Sequence, residues 1–335
     1  MSITAKELAK ILNLSAPAVS MALNDKPGVS IETKNRVLEA AEKYGYDFSR
    51  LSAKNSRTGT IYVIWYRGNN TITRYAPLFD ELLGGIEMEC RERAYNVRTL
   101  QFFEKCDDLK TMIENLRVSD CSGLILLGTE LEESNAEQFL SLRVPVVILD
   151  SNCDTPNCNH VVINNYQGAY QATDYLISRY SEQPGHLKSS YPLRNFFERK
   201  LGYQNALKDN GMSPASAAVH ELPPTIEGAM SEMLAVIDSG ATLARSYFSD
   251  NDLIAVGAIK ALKLRGKNVP DDVAIIGFDN ISEGKIIDPS LSTVDYSKIY
   301  MAQLAVKFLI DNIKNPVPQT AKIEVSTRLI KRYSA

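Results

Sequence analysis

From Ile61 onward the chain alternates short apolar runs with longer stretches of helical spacing, and few folds accept that pattern. The runs are Ile61–Tyr66, Val97–Phe102, Gly123–Leu127, Val144–Leu149, His160–Ile163, Ala244–Phe248 and Val273–Phe278. Helical stretches such as Leu78–Arg93 and Leu253–Leu264 lie between them. Strand–helix alternation of this kind argues for parallel sheets flanked by helices. About 275 residues are too many for one such sheet, so two α/β lobes are expected. With 44% hydrophobic residues there is apolar material for more than one core.

The first 45 residues follow a different rule. Thr4 and Glu7 form a capping box, and Leu8, Ile11 and Leu12 recur at helical spacing. Asn13 and Leu14 make a short turn. Ser15 then caps a second helix, with Pro17 in its first turn and Val19 and Leu23 facing inward. Asn24 to Gly28 is a loop by composition. Ser30 caps a third helix whose apolar positions are Val37, Leu38, Ala41 and Tyr44, and Gly45 stops it. Residues 47–58 are polar and basic and read as a linker.

Charge separates the same two regions. The net charge of −3 speaks against nucleic acid when taken whole. Residues 1–58, however, hold nine Lys/Arg against six Asp/Glu, and the remainder 28 against 34. A basic head on an acidic body is the footprint expected of a small nucleic-acid reader joined to a larger domain of other purpose.

Two short helices, a tight turn and a third packing helix make the helix-turn-helix pattern, whose second helix enters the major groove of DNA. The positions offered to base edges are Ala16, Pro17, Ala18, Ser20 and Met21. Their methyl groups suit thymine, and none of them reads a purine bidentately. Ser15, Ser20, Asn24, Ser30, Thr33 and Lys34 are candidates for phosphate contacts, which position the head without specifying sequence.

Several motifs in one order resemble the lactose/galactose-repressor family of bacterial transcription regulators. In the head they are Thr4-Ala5-Lys6-Glu7-Leu8-Ala9, Leu14-Ser15, Ala18-Val19-Ser20, Leu23-Asn24, Val29-Ser30 and Tyr44-Gly45-Tyr46. In the body they are Arg199 to Leu207, with Gly202 and Tyr203, then Asn251-Asp252-Leu253-Ile254-Ala255-Val256-Gly257, then Val269 to Asp279. The resemblance implies an all-α helix-turn-helix head over residues 1–46 and a hinge over 47–58. It implies a ligand-binding core over 59–335, shaped like the periplasmic sugar-binding proteins. The first lobe is then expected near 59–161 and 293–322, and the second near 162–292 and 323–335. Crossovers fall near Val161–Asn164, Leu291–Val294 and Lys322–Val325.

The chain departs from the family pattern in two places. Met21 stands where the reader helix usually carries Arg. The hinge opens with Asp47-Phe48-Ser49 in place of Pro-Asn, and Asn55 occupies the position of the Leu that wedges into the minor groove. Leu51 is the nearby aliphatic candidate for that wedge, and Arg50, Lys54 and Arg57 can follow phosphates.

The same resemblance implies a ligand held between the lobes by Arg199, Asn251 and Asp279, with Asp150 as a secondary contact. Strand ends are where such ligands bind. Asp150 follows one strand directly, Asp279 ends another, and Asn251 and Asp252 follow a third. Carboxylates accept hydroxyl hydrogens and a guanidinium donates in a fork, which suits a ligand rich in hydroxyl groups. Tyr75, Pro77 and Phe79 are placed to line the first-lobe side. Plainer roles are open for the same residues: Asp279 as a turn cap, Asp252 as a helix cap, and Arg199 as a partner of Glu198 or Asp209.

The expected function is thus a ligand-responsive, sequence-specific transcription regulator, a repressor by type. It would bind double-stranded operator DNA as a homodimer and take a small effector, most simply a carbohydrate, with allosteric coupling between the two. The alternative is a cytosolic sugar-binding or sugar-modifying protein with an appended helix-turn-helix. No enzyme, cofactor or metal is expected: phosphate-loop and dinucleotide motifs are missing, and the three His are scattered. Cys153, Cys158 and His160 read as a polar surface loop and not a metal site. The five sparse Cys, the charged start of the chain and the lack of a long apolar run point to the cytoplasm and away from a membrane. The last residues carry no heptad pattern, so a dimer is expected and not a tail-assembled tetramer.

Overall fold

A computed structural model describes residues 3–24, 28–46, 59–68, 76–152 and 158–335 of the 335. The head is three helices, α1 (Ala5–Leu12), α2 (Ala16–Leu23) and α3 (Ile31–Lys43). The capping box at the start of α1 is complete: the Thr4 hydroxyl accepts from the Glu7 amide and the Glu7 carboxylate accepts from the Thr4 amide at 2.7 Å. Asn13 takes the left-handed conformation (φ 53°) and turns the chain into α2. Leu8, Val19, Val37 and Ala41, all fully buried, meet in a small core. Tyr44 is not part of it. It is the C-cap of α3, lies exposed, and the chain turns at Gly45 so that Tyr46 packs on the core instead.

The body is two lobes. The first begins with β1 (Thr60–Arg67), α4 (Ala76–Glu92), β2 (Asn96–Phe103), α5 (Leu109–Arg117), β3 (Cys121–Leu127), α6 (Glu133–Leu140), β4 (Val146–Leu149) and β5 (Asn159–Ile163). The second holds α7 (Asn165–Tyr180), β6 (Gly185–Ser189), α8 (Arg194–Asp209), β7 (Val219–Leu222), α9 (Ile226–Asp238) and β8 (Ser246–Ser249). It continues with α10 (Asp252–Leu264), β9 (Ala274–Phe278), α11 (Ser282–Ile286) and β10 (Ser292–Asp295). The chain then returns to the first lobe for α12 (Lys298–Lys314) and β11 (Lys322–Val325), and ends in the second with β12 (Arg328–Ile330).

Each lobe carries one six-stranded sheet. The orders are β11-β5-β4-β3-β1-β2 and β12-β10-β9-β8-β6-β7. Every pairing in the first is parallel, and only β12 runs antiparallel in the second. β1 shows how both faces are filled. Ile61, Val63 and Trp65 join one apolar cluster, while Tyr62, Ile64 and Tyr66 join another on the opposite face. The chain leaves the first sheet only after Ile163, returns after Asp295 and leaves again after Val325. β5, β10 and β11 each run to their full length before the chain crosses. No helix among the described residues is long and apolar enough to cross a membrane.

Gly202 explains one of the spacings that carried the family resemblance. It lies in α8 where that helix crosses α7, and a Cβ there would stand 2.2 Å from the Tyr166 carbonyl oxygen. Gly202→Ala is therefore expected to destabilise by about 2 kcal/mol through forced overlap. Gly84→Ala, in α4 with nothing within 4 Å of the added carbon, is expected to be neutral or stabilising. Paired thermal melts of the two variants check the sign.

Candidate functional site

The C-terminal ends of the two sheets contribute residues that meet across the lobes. From the first lobe comes Asp150, which directly follows β4 and takes φ 64°. Its carboxylate accepts from the Thr129 hydroxyl at 2.5 Å and from the Asn195 side-chain amide at 3.1 Å. Asn195 belongs to α8 of the second lobe, so this bond spans the cleft. A second span runs from the Asn152 amide to Glu198 at 2.9 Å. A third runs from Lys298 of α12 to the main-chain oxygen of Asp279 at 2.6 Å.

Arg199 is the centre of the second-lobe side. It is buried and each of its guanidinium nitrogens is directed. Nε donates to Asn165 Oδ1 at 2.9 Å, Nη1 to the Asp250 carbonyl at 2.5 Å, and Nη2 to Asp279 Oδ1 at 3.1 Å. The guanidinium carbon stands 3.6 Å over the centroid of Phe278, a favourable cation–π distance. Asp250 is itself fixed, accepting from the Ser189 amide at 2.7 Å and contacting buried His186 at 2.7 Å. Of the ion partners weighed from sequence, neither Glu198 nor Asp209 pairs with Arg199; Asp279 does.

Burial works against the charges assembled here. It raises the Asp150 carboxyl to about 6, although the Thr129 hydroxyl and Arg199 pull the other way. Burial also raises Asp279, opposed by Arg199 and Lys298. Tyr296, between β10 and α12, is fully enclosed; burial and the nearby Asp279 and Asp150 carboxylates hold its phenol well above the usual range. A set of buried acids, one guanidinium and one ammonium has the chemistry to take a polar ligand by exchanging these contacts for ligand hydroxyls.

Two expected contacts, Asn251 and Phe79, and one expected cap, Asp252, take the following places. Asn251 is the N-cap of α10, its Oδ1 accepting from the Ile254 amide at 2.9 Å, because its extended backbone turns that oxygen onto the helix start. Asp252, expected as the cap, is the first helical residue and points inward. Its carboxylate accepts from the Thr293 hydroxyl at 2.6 Å and the Ile281 amide at 2.9 Å. Phe79 is 1% exposed and packs its ring against Trp65 at 4.9 Å, so it backs the first-lobe wall from the core and does not line it. Tyr75 lies outside the described residues, as does the Pro77 side chain.

Sequence reasoning passed over Asn165, Asn195 and Lys298. Asn195 stands four residues before Arg199, which puts both on one face of α8, and that spacing was the available signal. Asn165 directly follows a crossover and Lys298 directly follows another; only the lobe topology brings them to the cleft.

Asp252 carries a pH dependence. Burial raises its carboxyl from 3.8 to about 8. The folded chain thus holds a proton that the unfolded chain has already released, so this stabilisation is complete below about pH 4 and is lost as pH rises through about 8. The expected result is a melting temperature that falls between pH 6 and pH 9 by the group titrated here. Asp252→Asn, which stays neutral, flattens that part of the profile; a slope identical to wild type would contradict the assignment.

In the head, the start of α2 presents Ser15, Ala16, Pro17 and Ser20 together as exposed residues, while Ala18 and Met21 are half-buried. Ser15 and Ser30 also cap their helices, accepting from the Ala18 and Thr33 amides at 3.2 Å each. The Thr33 hydroxyl bonds Ser30, the Asn24 amide donates to the Ser20 carbonyl, and Lys34 lies half-buried on the first turn of α3. Arg50, Leu51, Lys54 and Asn55 lie outside the described residues. Cys153 does too, while His160 is buried with Nδ1 3.0 Å from the Ser151 carbonyl. Among the described residues no three potential ligands gather for a metal.

Known proteins share this architecture. Residues 174–335 match a periplasmic binding protein-like domain. The whole chain is 27% identical to the HTH-type transcriptional repressor PurR of Mannheimia succiniciproducens, covering 99% of this chain and 98% of that protein. It is also 27% identical to the ribose operon repressor of Haemophilus influenzae, over 93% and 92% of the two chains. Among solved structures, a complex of the transcriptional regulator CelR with cellobiose superposes with a TM-score of 0.73 at 22% identity, covering 99% of this chain and 100% of that one. A transcriptional regulator from Enterococcus faecium with bound ribose gives 0.70 at 23% identity over 82% and 98%. These structural likenesses establish the fold.

Proposed function

The chain belongs to the lactose/galactose-repressor family of bacterial transcription regulators, and from that premise we propose that it is a ligand-responsive, sequence-specific DNA-binding repressor. Its effector is a small polyhydroxyl compound, most simply a sugar, held between the lobes, and it works in the cytoplasm as a homodimer. It is a regulator and not an enzyme. The observation that carries the reading is the constellation where the lobes meet: Asp150 bonded across to Asn195, and Arg199 to Asp279 on the second-lobe side. Two carboxylates to accept hydroxyl hydrogens, and a fork to donate, are gathered there from both lobes. The relatives seen with ribose and cellobiose support the sugar class.

In this mechanism the effector takes over bonds that now join the lobes directly. Ligand that prefers one lobe arrangement shifts the population toward it. The two heads of the dimer then change their spacing, which couples effector affinity to operator affinity. In each head Ser15, Ala16, Pro17, Ser20 and Met21 approach base edges, and Asn24, Ser30, Thr33 and Lys34 approach phosphates. Arg50 and Lys54 follow the backbone through the linker, with Leu51 or Asn55 at the minor groove.

The test is a thermal-shift screen of sugars, nucleobases and small metabolites, followed by a gel shift against the DNA upstream of the chain's own gene. One compound class is expected to stabilise the protein, and retardation is expected to survive competitor DNA at ~150 mM salt. Retardation without any sequence preference at that salt would overturn the reading.

A further inference from the structure

Outside the cleft, the second lobe carries a depression of about 600 Å³ between the C-terminal end of α7 and the last residues of the chain. Its wall includes Arg179, Lys285, Lys331 and Arg332, with Tyr175 and Tyr333, and no Asp or Glu side chain. That charge is out of place on a body whose acids outnumber its bases, 34 to 28, beyond residue 58. Four like charges around one space repel each other, and set against the single carboxylate of Ala335 on the same wall they leave a net positive concavity that focuses potential on a counter-anion.

The cations are partly held in position. Lys331 Nζ stands 4.2 Å over the Tyr175 ring. Arg332 is fixed by donating Nη1 to the Leu291 carbonyl and Nη2 to Asn280 Oδ1, each at 2.6 Å. Arg179, Lys285 and Lys331 are exposed and can close on a ligand. Asn280 directly follows Asp279, so the anchored arginine also touches the loop that carries the Arg199 partner.

We propose that this depression is a second binding site, for a small phosphate-bearing anion, distinct from the cleft. Guanidinium groups bond phosphate oxygens in a fork and ammonium groups add point charge, which together favour a multivalent phosphate over a neutral sugar. The site does not depend on the identity of the cleft effector.

The experiment is calorimetric titration of the full chain with inorganic pyrophosphate at ~150 mM salt, where surface charges are well screened. A dissociation constant below ~1 mM is expected. The double variant Arg179→Ala/Lys331→Ala, which changes exposed side chains only, is expected to weaken it at least tenfold, while Lys110→Ala, which removes an exposed cation of the first lobe, leaves it within about twofold. No measurable binding, an unchanged constant in the double variant, or an equal loss in Lys110→Ala would each overturn the proposal. The last result would mean that the anion answers to general surface charge and not to this depression.

Discussion

Arg199→Ala is expected to abolish effector binding, at least 100-fold, and to destabilise the second lobe. The guanidinium makes three directed hydrogen bonds and a ring contact from a position 3% exposed. Removing one member of a buried ion pair costs about 3–5 kcal/mol, because the other charge stays buried without its partner. Here that charge is Asp279, left with Lys298 on its main chain as the nearest compensation. A hundredfold loss of affinity corresponds to about 2.7 kcal/mol, within reach of one bidentate donor in a desolvated site. Arg199→Lys separates the two effects. It restores the charge without the fork, so it should recover most of the stability and little of the affinity. Calorimetric binding and thermal melts of both variants give the answer; effector affinity within threefold of wild type in Arg199→Ala would contradict the placement of the ligand.

Ala16→Glu is expected to have the second large effect, and in opposite directions on two readouts. Ala16 is the first residue of α2, exposed beside Ser15 and Pro17. A carboxylate in the first turn of a helix interacts favourably with the helix dipole, by about 0.3–1 kcal/mol. The head should therefore fold as well as before or better. If the same turn enters the major groove, the carboxylate meets phosphates on both sides and no base edge positioned for it except cytosine. Operator affinity should fall at least 100-fold with no loss of melting temperature. Retained operator binding would move the reader surface away from α2.

How much of this was legible in sequence depended on range. The three helices of the head were readable because Thr4, Ser15 and Ser30 cap locally and each bond spans three residues. Tyr44 was misplaced because apolar spacing continues one residue past the point where α3 ends. In the body, β1, β3 and β9 announced themselves as apolar runs. By contrast β7 (Val-His-Glu-Leu) and β12 (Arg-Leu-Ile) carry polar residues that the sheet edges tolerate, and the inner strand β6 (Gly-His-Leu-Lys-Ser) pairs its buried His186 with Asp250, so none of the three reads as an apolar run. The site shows the same division. Arg199, Asp279 and Asp150 were named from motif and strand ends. Asn165 and Lys298 pair with residues 30 and 19 positions away, Asn195 and Asp279, and no local pattern marks them; Asn195 is marked only by its four-residue spacing from Arg199. The exchange of roles between Asn251 and Asp252 turned on a single backbone angle, since the extended ψ of 172° at Asn251 makes it the cap.

If the cleft and the head are one coupled device, operator binding responds to the effector. Fluorescence anisotropy of operator DNA, with and without a compound that stabilises the body, measures this for wild type and Arg199→Ala. The compound is expected to change wild-type operator affinity at least fivefold, about 1 kcal/mol of coupling. No change is expected in Arg199→Ala, whose ligand-free operator affinity stays close to wild type. A compound that binds the cleft of the wild-type protein and leaves its operator affinity unchanged would contradict the coupling.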